Sequence, residues 1–410
     1  MLCDTLQTGL VRLYSIRKNG GTEEVMPAYL DADTIFDTAL ERFRDTEVGF
    51  SQIRFRFRDF VQYFNDFGPI PDSLYNRAVA QMVDFVSGRL SLERDWLRYP
   101  EIARQKIEQP FFVIGHARSG TTILQCLLAL DRGHRMPRYW EVRQPSPPPG
   151  LDAASDAASI AQEDHHIEDV LSQIPRLLAA HPYLEQGGRS EAECEDIMTL
   201  DFHMLHVMHF NRVPSLPYPI MPSDNLAAFR FHKRMLQQFQ WKTPTHRWVC
   251  KGTTHQYFLP ALWQVYPDAV CFWSHRAPED YFASFFEMIE MIYQPVNGEL
   301  YPGIDVERVV DEMKSAYQYV LSSDWIDDPR LCHIRFRDLL DDPLGVIGNA
   351  YRRQGLSVSK DFENAIEGWF DNDQNRSDRY GKFTYSLEKF GLSKKAIREA
   401  FSEYYERFDL

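Results

Sequence analysis

The sequence predicts an α/β fold, a three-layer α/β/α sandwich around a central parallel sheet with added helices. Three observations predict it. Four short apolar runs rich in β-branched or aromatic residues have strand length: FFVIG (111–115), RWVCKG (247–252), AVCFWSH (269–275) and CHIRF (332–336). Several are followed by helical patterns, as in a parallel sheet with crossover helices. The first runs into GHARSGTT (115–122), a glycine-bounded loop that opens the apolar helical stretch ILQCLLALD.

Ahead of the first strand, residues 30–106 read as helical. Phe50, Ile53, Phe57, Phe60, Val61 and Phe64 recur at helical spacing and form one apolar stripe. The alternation in RFRFR (54–58) lasts only five residues inside that longer stripe, so its arginines are assigned to a solvated helix face. The expected organisation is an N-terminal helical region, 1–106, packed on the core, followed by an α/β domain, 107–410. About a hundred residues without strand signals separate the first two strands. They begin at the breaker QPSPPPG (144–150) and include a helix opened by the capping box Ser190-x-x-Glu193. This 151–245 insertion, near the ends of the strands, is expected to form a lid over an acceptor pocket.

Bulk properties exclude several classes. A chain of 410 residues with 44% hydrophobic and 14% aromatic content can bury a large core. A net charge of −14 argues against a general nucleic-acid or anionic-membrane surface. Cys3, Cys126, Cys194, Cys250, Cys271 and Cys332 are scattered without a C-x-x-C pair. That pattern favours a reduced cytoplasmic protein with buried thiols over a disulfide framework or a zinc site. MLCDTLQTGLVRLYSIRK lacks the plan of a secretory signal, and no stretch has the apolar length of a membrane span.

The loop at 115–122 suits an anion, because backbone N–H groups and a helix N-terminus converge there. In a nucleotide triphosphatase a lysine would follow the second glycine. Thr121 stands there instead, and the cation is Arg118, three places earlier. None of the later strands ends in an aspartate that could hold Mg²⁺; strand 269–275 runs into Arg276. A metal-free site with fixed cations suits a transferring group of lower charge than a phosphoryl group. His203, His206 and His209 would spread over a broad helix face, and no cysteine or carboxylate motif completes them. They are assigned to pocket lining or core, and no metal is expected.

Four blocks in order then carry a resemblance. Phe111–Thr122, with RSGTT at 118–122, resembles the 5′-phosphosulfate loop of PAPS-dependent sulfotransferases. SHRAPEDYFASF (274–285) resembles their 3′-phosphate segment. RWVCKGTTH (247–255) is similar to the strand that ends in lysine, with a histidine four residues on. YGKFTYSLEKFGL (380–392) resembles the C-terminal loop that closes over the nucleotide. The match is to the larger bacterial-type enzymes acting on small molecules and lipids, and it spans about residues 30–410. Departures are His116-Ala117 in place of Leu-Pro, Gly252-Thr253 after Lys251 in place of Ser-Pro, and Ala277 in place of an aspartate. The last removes a helix N-cap worth about 1 kcal/mol.

The resemblance implies a P-loop-like sulfotransferase fold with 107–410 as the catalytic domain, and PAPS as co-substrate. It implies that Arg118, Ser119, Gly120, Thr121, Thr122, Arg276, Ser284 and Lys382 bind the nucleotide. The expected reaction is in-line transfer of a sulfuryl group to a hydroxyl of a small or lipid-like acceptor, with charge stabilised by Arg118 and Lys251. Three residues compete as base. Glu141 is preferred, because a segment returning after the loop helix can point across the loop's mouth and related enzymes carry a glutamate in the comparable segment. His255 and His116 are the others. The alternatives are an ATP-dependent, kinase-like phosphoryl transferase and a catalytically inactive nucleotide-binding protein.

Overall fold

A computed structural model describes residues 29–43, 50–66, 68–70, 72–203, 225–297, 303–376 and 378–410. The chain divides into two compact units, Met1–Leu90 and Ser91–Leu410. The first contains α1 (Ala32–Leu40), α2 (Ser51–Asn65) and most of α3 (Asp72–Arg98). Asp31 starts α1 by accepting from the Thr34 N–H at 2.8 Å. Phe50, Ile53, Phe57, Phe60 and Val61 are buried, so the helical stripe forms as its spacing predicts; the Phe64 side chain lies outside the description. Arg54 and Arg58 pair with Asp33, at 3.1 and 2.8 Å, and Arg54 also pairs with Asp37. These are surface ion pairs, each contributing under ~1 kcal/mol.

The second unit holds the sheet: β1 (Phe111–Ile114), β2 (His134–Arg135), β3 (Arg247–Gly252), β4 (Val270–His275) and β5 (Leu331–Arg335). All pairings are parallel and the order is β2-β3-β1-β4-β5. The four strands expected from apolar runs all form, within a residue of their expected limits. Two-residue β2 has no apolar run to betray it.

β1 is central, with Phe111 opposite Val249 on one side and Val270 on the other. Its four residues are fully buried because both faces are covered. On one face Phe111, Val113, Val249, Val270 and Phe272 pack with Leu124, Leu127 and Leu128 of α4 (Thr121–Ala129). Each such side chain contributes about 1.5–3 kcal/mol of burial. On the other, Phe112 meets Tyr266 and His232, ring centroids 5.2 and 5.8 Å apart.

Between β1 and β3 run α5 (Tyr139–Arg143), α6 (Ala153–Gln173), α7 (Leu177–Ala180), α8 (Cys194–Thr199) and α9 (Asn225–Trp241). QPSPPPG does separate two helices. The capping box does not sit where the sequence placed it. Glu193 is itself the N-cap of α8 and exchanges bonds with Asp196, so the helix starts three residues later than expected. After β4 comes α11 (Pro278–Asn297), following α10 (Leu259–Val265).

The topology fixes where a ligand can sit. From β1 the chain goes first to β2 and β3 on one side, then crosses to β4 and β5 on the other. The crevice at the carboxyl ends of β1, β3 and β4 is therefore a topological switch point, the usual ligand site of an open α/β sheet. None of the described helices is long and apolar enough to cross a membrane.

Candidate active site

The loop after β1 is shaped by three positive-φ residues. Gly115 has φ +136°, and a Cβ there would lie 2.6 Å from the Ser274 carbonyl. Gly120, φ +91°, is the N-cap of α4, and a Cβ would intrude on the Phe336 ring. Arg118 has φ +72° without being glycine, a conformation costing ~1–3 kcal/mol. Its own bonds hold it: Nε donates to Ser284 Oγ at 3.0 Å and Nη1 to the Ala180 carbonyl at 2.8 Å. Ser119 is buried and structural, its hydroxyl donating to the His116 carbonyl at 2.7 Å while its own carbonyl accepts from Ser274 Oγ at 2.6 Å. The opening N–H groups of α4 have no intrahelical acceptor, which makes this helix end suited to an anion.

Two strand ends complete the cationic rim. Lys251, at the end of β3, is 3% exposed, and burial opposes its charge. Glu193 and Glu191 outweigh that penalty and raise its pKa, so the ammonium is retained. Its Nζ donates to Thr122 Oγ1 at 2.9 Å and pairs with Glu193 at 3.1 Å. Arg276, just past β4, donates to the Arg118 carbonyl at 2.8 Å and the Tyr385 hydroxyl at 2.9 Å.

These groups line one cavity of about 400 Å³, together with Gly120, Thr121, Thr122, Ser284 and Lys382. The sequence assignments to the nucleotide thus converge, apart from Ser119, which supports the loop from behind. Apolar wall comes from Leu177, Leu184, Met288, Ile292 and Phe383. The 151–245 insertion supplies part of it, through Leu177 and Leu184. Met198, Leu200, Phe202 and Phe229 are buried outside the cavity lining, and Met204–Phe210 lie outside the described residues. The segment 182–185 is latched to the C-terminal tail. Arg379 donates to the Pro182 carbonyl at 2.9 Å, and Arg379 and Tyr380 both bond Glu185.

None of the three sequence candidates for the base is among the residues lining the cavity. Glu141 is the third residue of α5, where its carboxylate folds back to the Arg138 N–H at 3.0 Å and pairs with Arg135 of β2. The expectation that it points across the loop's mouth is therefore corrected: capping its own helix turns it away. His255 is buried, its ring against Phe112 and Phe229 at 5.8 and 5.0 Å. His116 stacks on Tyr281 at 4.1 Å, and burial pushes its pKa down to about 4.

The carboxylates that do line the cavity are Glu191, Glu193 and Asp378, and Asp378 is paired with Arg376 at 3.1 Å. Glu193 is committed to Lys251. Glu191 makes no salt bridge among the described residues, and burial raises its pKa against the pull of Lys251. Glu191 carries no signal in the sequence and Glu193 reads there as part of a helix cap; the proximity of both to Lys251 is the signal, and it is tertiary. His203 is a core histidine bonded to Asp201 at 3.1 Å, whereas His206 and His209 lie outside the described residues.

A strand–loop–helix anion cradle rimmed by fixed cations defines a group-transferring P-loop-like fold. Residues 110–360 match the family described as Sulfotransferase family, and the chain belongs to it. Two relatives are each named Omega-hydroxy-beta-dihydromenaquinone-9 sulfotransferase Stf3, from Mycobacterium bovis and Mycobacterium tuberculosis. They are 25% identical over 273 residues, 62% of this chain and 64% of theirs, so the chain matches just under two thirds of their length. The fold is shared with sulfotransferase STF9 from Mycobacterium avium, at TM-score 0.71, 22% identity and coverage of 95% and 99% of the two chains. It is shared also with sulfotransferase STF1 from Mycobacterium tuberculosis H37Rv, at TM-score 0.69, 20% identity and coverage of 92% and 100%.

Proposed function

We propose that this chain transfers a sulfuryl group from PAPS to a hydroxyl on a lipid-like or otherwise apolar acceptor, by in-line displacement. The observation that carries the reading is the convergence of Arg118, Lys251, Arg276 and Lys382 with the α4 N-terminus on one cavity that also has an apolar wall. Arg276 and Ser284 bind the 3′-phosphate. Arg118, Lys251 and the N–H groups of α4 stabilise charge on the bridging and sulfuryl oxygens as the S–O bond breaks. Glu191 takes the acceptor proton; its raised pKa makes it a better base than an exposed carboxylate. Glu193 orients Lys251. The relatives named for a hydroxylated menaquinone derivative support an acceptor of this class.

The residues 107–410 act as the catalytic domain, with 177–193 and the tail around Lys382 enclosing the acceptor. The test is mass spectrometry of hydrophobic alcohols and phenols incubated with enzyme and PAPS. Products heavier by one sulfuryl group are expected. Turnover with ATP and none with PAPS would overturn the reading in favour of phosphoryl transfer.

A further inference from the structure

Behind the cavity wall, on the far side of β3, three side chains from three elements bring ligand atoms together. The ligand atoms of Cys194 (α8), His232 (α9) and Cys250 (β3) all lie within 4.8 Å of one another, and all three residues are buried. A tetrahedral zinc site with bonds of about 2.3 Å to sulfur and 2.0–2.1 Å to nitrogen separates its ligand atoms by roughly 3.3–3.8 Å. The observed cluster needs a contraction of at most about 1.5 Å to reach that geometry.

The imidazole carries the second observation. His232 is fully buried; its Nδ1 is 2.8 Å from the Tyr266 hydroxyl, and its Nε2 has no hydrogen-bond partner among the described residues. An orphaned buried ring nitrogen costs free energy unless something satisfies it. Anchoring of the opposite nitrogen is also how metal-bound histidines are oriented.

We propose that Cys194, His232 and Cys250 form a buried site for a borderline-soft divalent metal of the zinc class, separate from the sulfuryl-transfer chemistry. Binding replaces the two thiol protons with one dication, so two protons leave and the two sulfur–metal bonds keep the site neutral. Neutrality matters, because isolated thiolates are strongly disfavoured at this depth. A Cys194–Cys250 disulfide is the competing chemistry, but it leaves the His232 nitrogen unsatisfied and needs an oxidant. The site has a mechanical consequence. Cys194 lies between Glu193, which holds Lys251, and Glu195, which accepts from the Thr254 N–H at 3.0 Å. A metal there would tie this wall of the cavity to the sheet.

The full-length protein, reduced and stripped with a chelator, is titrated with Co²⁺ and then Zn²⁺. Expected are thiolate-to-cobalt charge-transfer and tetrahedral d–d bands saturating at one metal per chain, two protons released, and bleaching by Zn²⁺. Cys194→Ser and Cys250→Ser should abolish the charge-transfer band, His232→Gln should weaken Co²⁺ binding by at least tenfold, and Cys271→Ser should leave the spectrum unchanged. Absence of the band in wild-type protein whose Cys194 and Cys250 are both shown by alkylation to be free thiols would overturn the proposal. So would a Cys194–Cys250 disulfide in protein purified under reducing conditions. Because the wild-type spectrum is itself decisive, variants that fail to fold do not leave the question open, and no arm depends on sulfuryl transfer.

Discussion

Lys251 Nζ stands 3.1 Å from a Glu193 carboxylate oxygen and 2.9 Å from Thr122 Oγ1, joining the end of β3 to the first turn of the phosphate-loop helix. A buried ammonium is thereby held charged where a transferring group would pass. Lys251→Met removes it and should lower kcat by ~10²–10³-fold, the range for one lost oxyanion-stabilising donor. Stopped-flow or single-turnover assay with PAPS checks this. A variant with unchanged kcat would remove Lys251 from the transition state.

Glu191→Gln keeps the shape of the wall and loses the proposed base. It should leave PAP affinity nearly unchanged and lower kcat by ~10²–10⁴-fold. Glu141→Gln should keep most of its kcat. Its cost is instead in stability, because Arg135 would lose a charged partner inside the fold. If kcat collapsed in Glu141→Gln and held in Glu191→Gln, the assignment would be reversed.

Arg276 and Ser284 sit on either side of Arg118, which bonds both. If they read the 3′-phosphate, PAP should raise Tm well above AMP or ATP at equal concentration, since stabilisation follows RT ln(1 + [L]/Kd). Arg276→Ala should erase most of that difference in a thermal-shift titration. Equal shifts with PAP and ATP in wild type would count decisively against the assignment.

Acid stability should report on His116. Burial holds its folded pKa at about 4, below the ordinary 6.5. Between those values the unfolded chain binds a proton that the folded chain does not, so stability rises with pH in that window. The contribution is complete above 6.5, lost below 4, and of order 3 kcal/mol at 1.36 kcal/mol per pKa unit. Denaturant unfolding of wild type and His116→Asn across this window should show a shallower fall for the variant. Parallel curves would mean that His116 is not the group responsible.

Gly120→Ala should destabilise the loop by ~1–3 kcal/mol, because φ +91° is hostile to a side chain and the Phe336 ring occupies the space. Comparing urea midpoints of this variant and of Gly368→Ala, a helix position with open space around it, isolates the effect.

Sequence alone determined four of the five strands and the cradle. Short apolar runs can only be buried strands when both faces are covered, and a loop bounded by Gly115 and Gly120 leading into Thr121 can only turn a strand into a helix. Arg118, Lys251 and Arg276 were legible for the same local reason, each lying in or just beyond a strand-to-helix junction that the topology turns toward one crevice. Direction of a side chain within a helix was not legible. Starting α8 at Cys194 rather than after Ser190 put Glu191 and Glu193 in the cavity wall, and starting α5 at Tyr139 spent Glu141 on its own cap. The Cys194–His232–Cys250 cluster was equally hidden, since its members are 38 and 18 residues apart in sequence and meet only because α8 and α9 pack on the same face of β3. Strand burial is a property of a few neighbouring residues; a shared site between distant ones exists only once long-range packing has fixed where each helix begins.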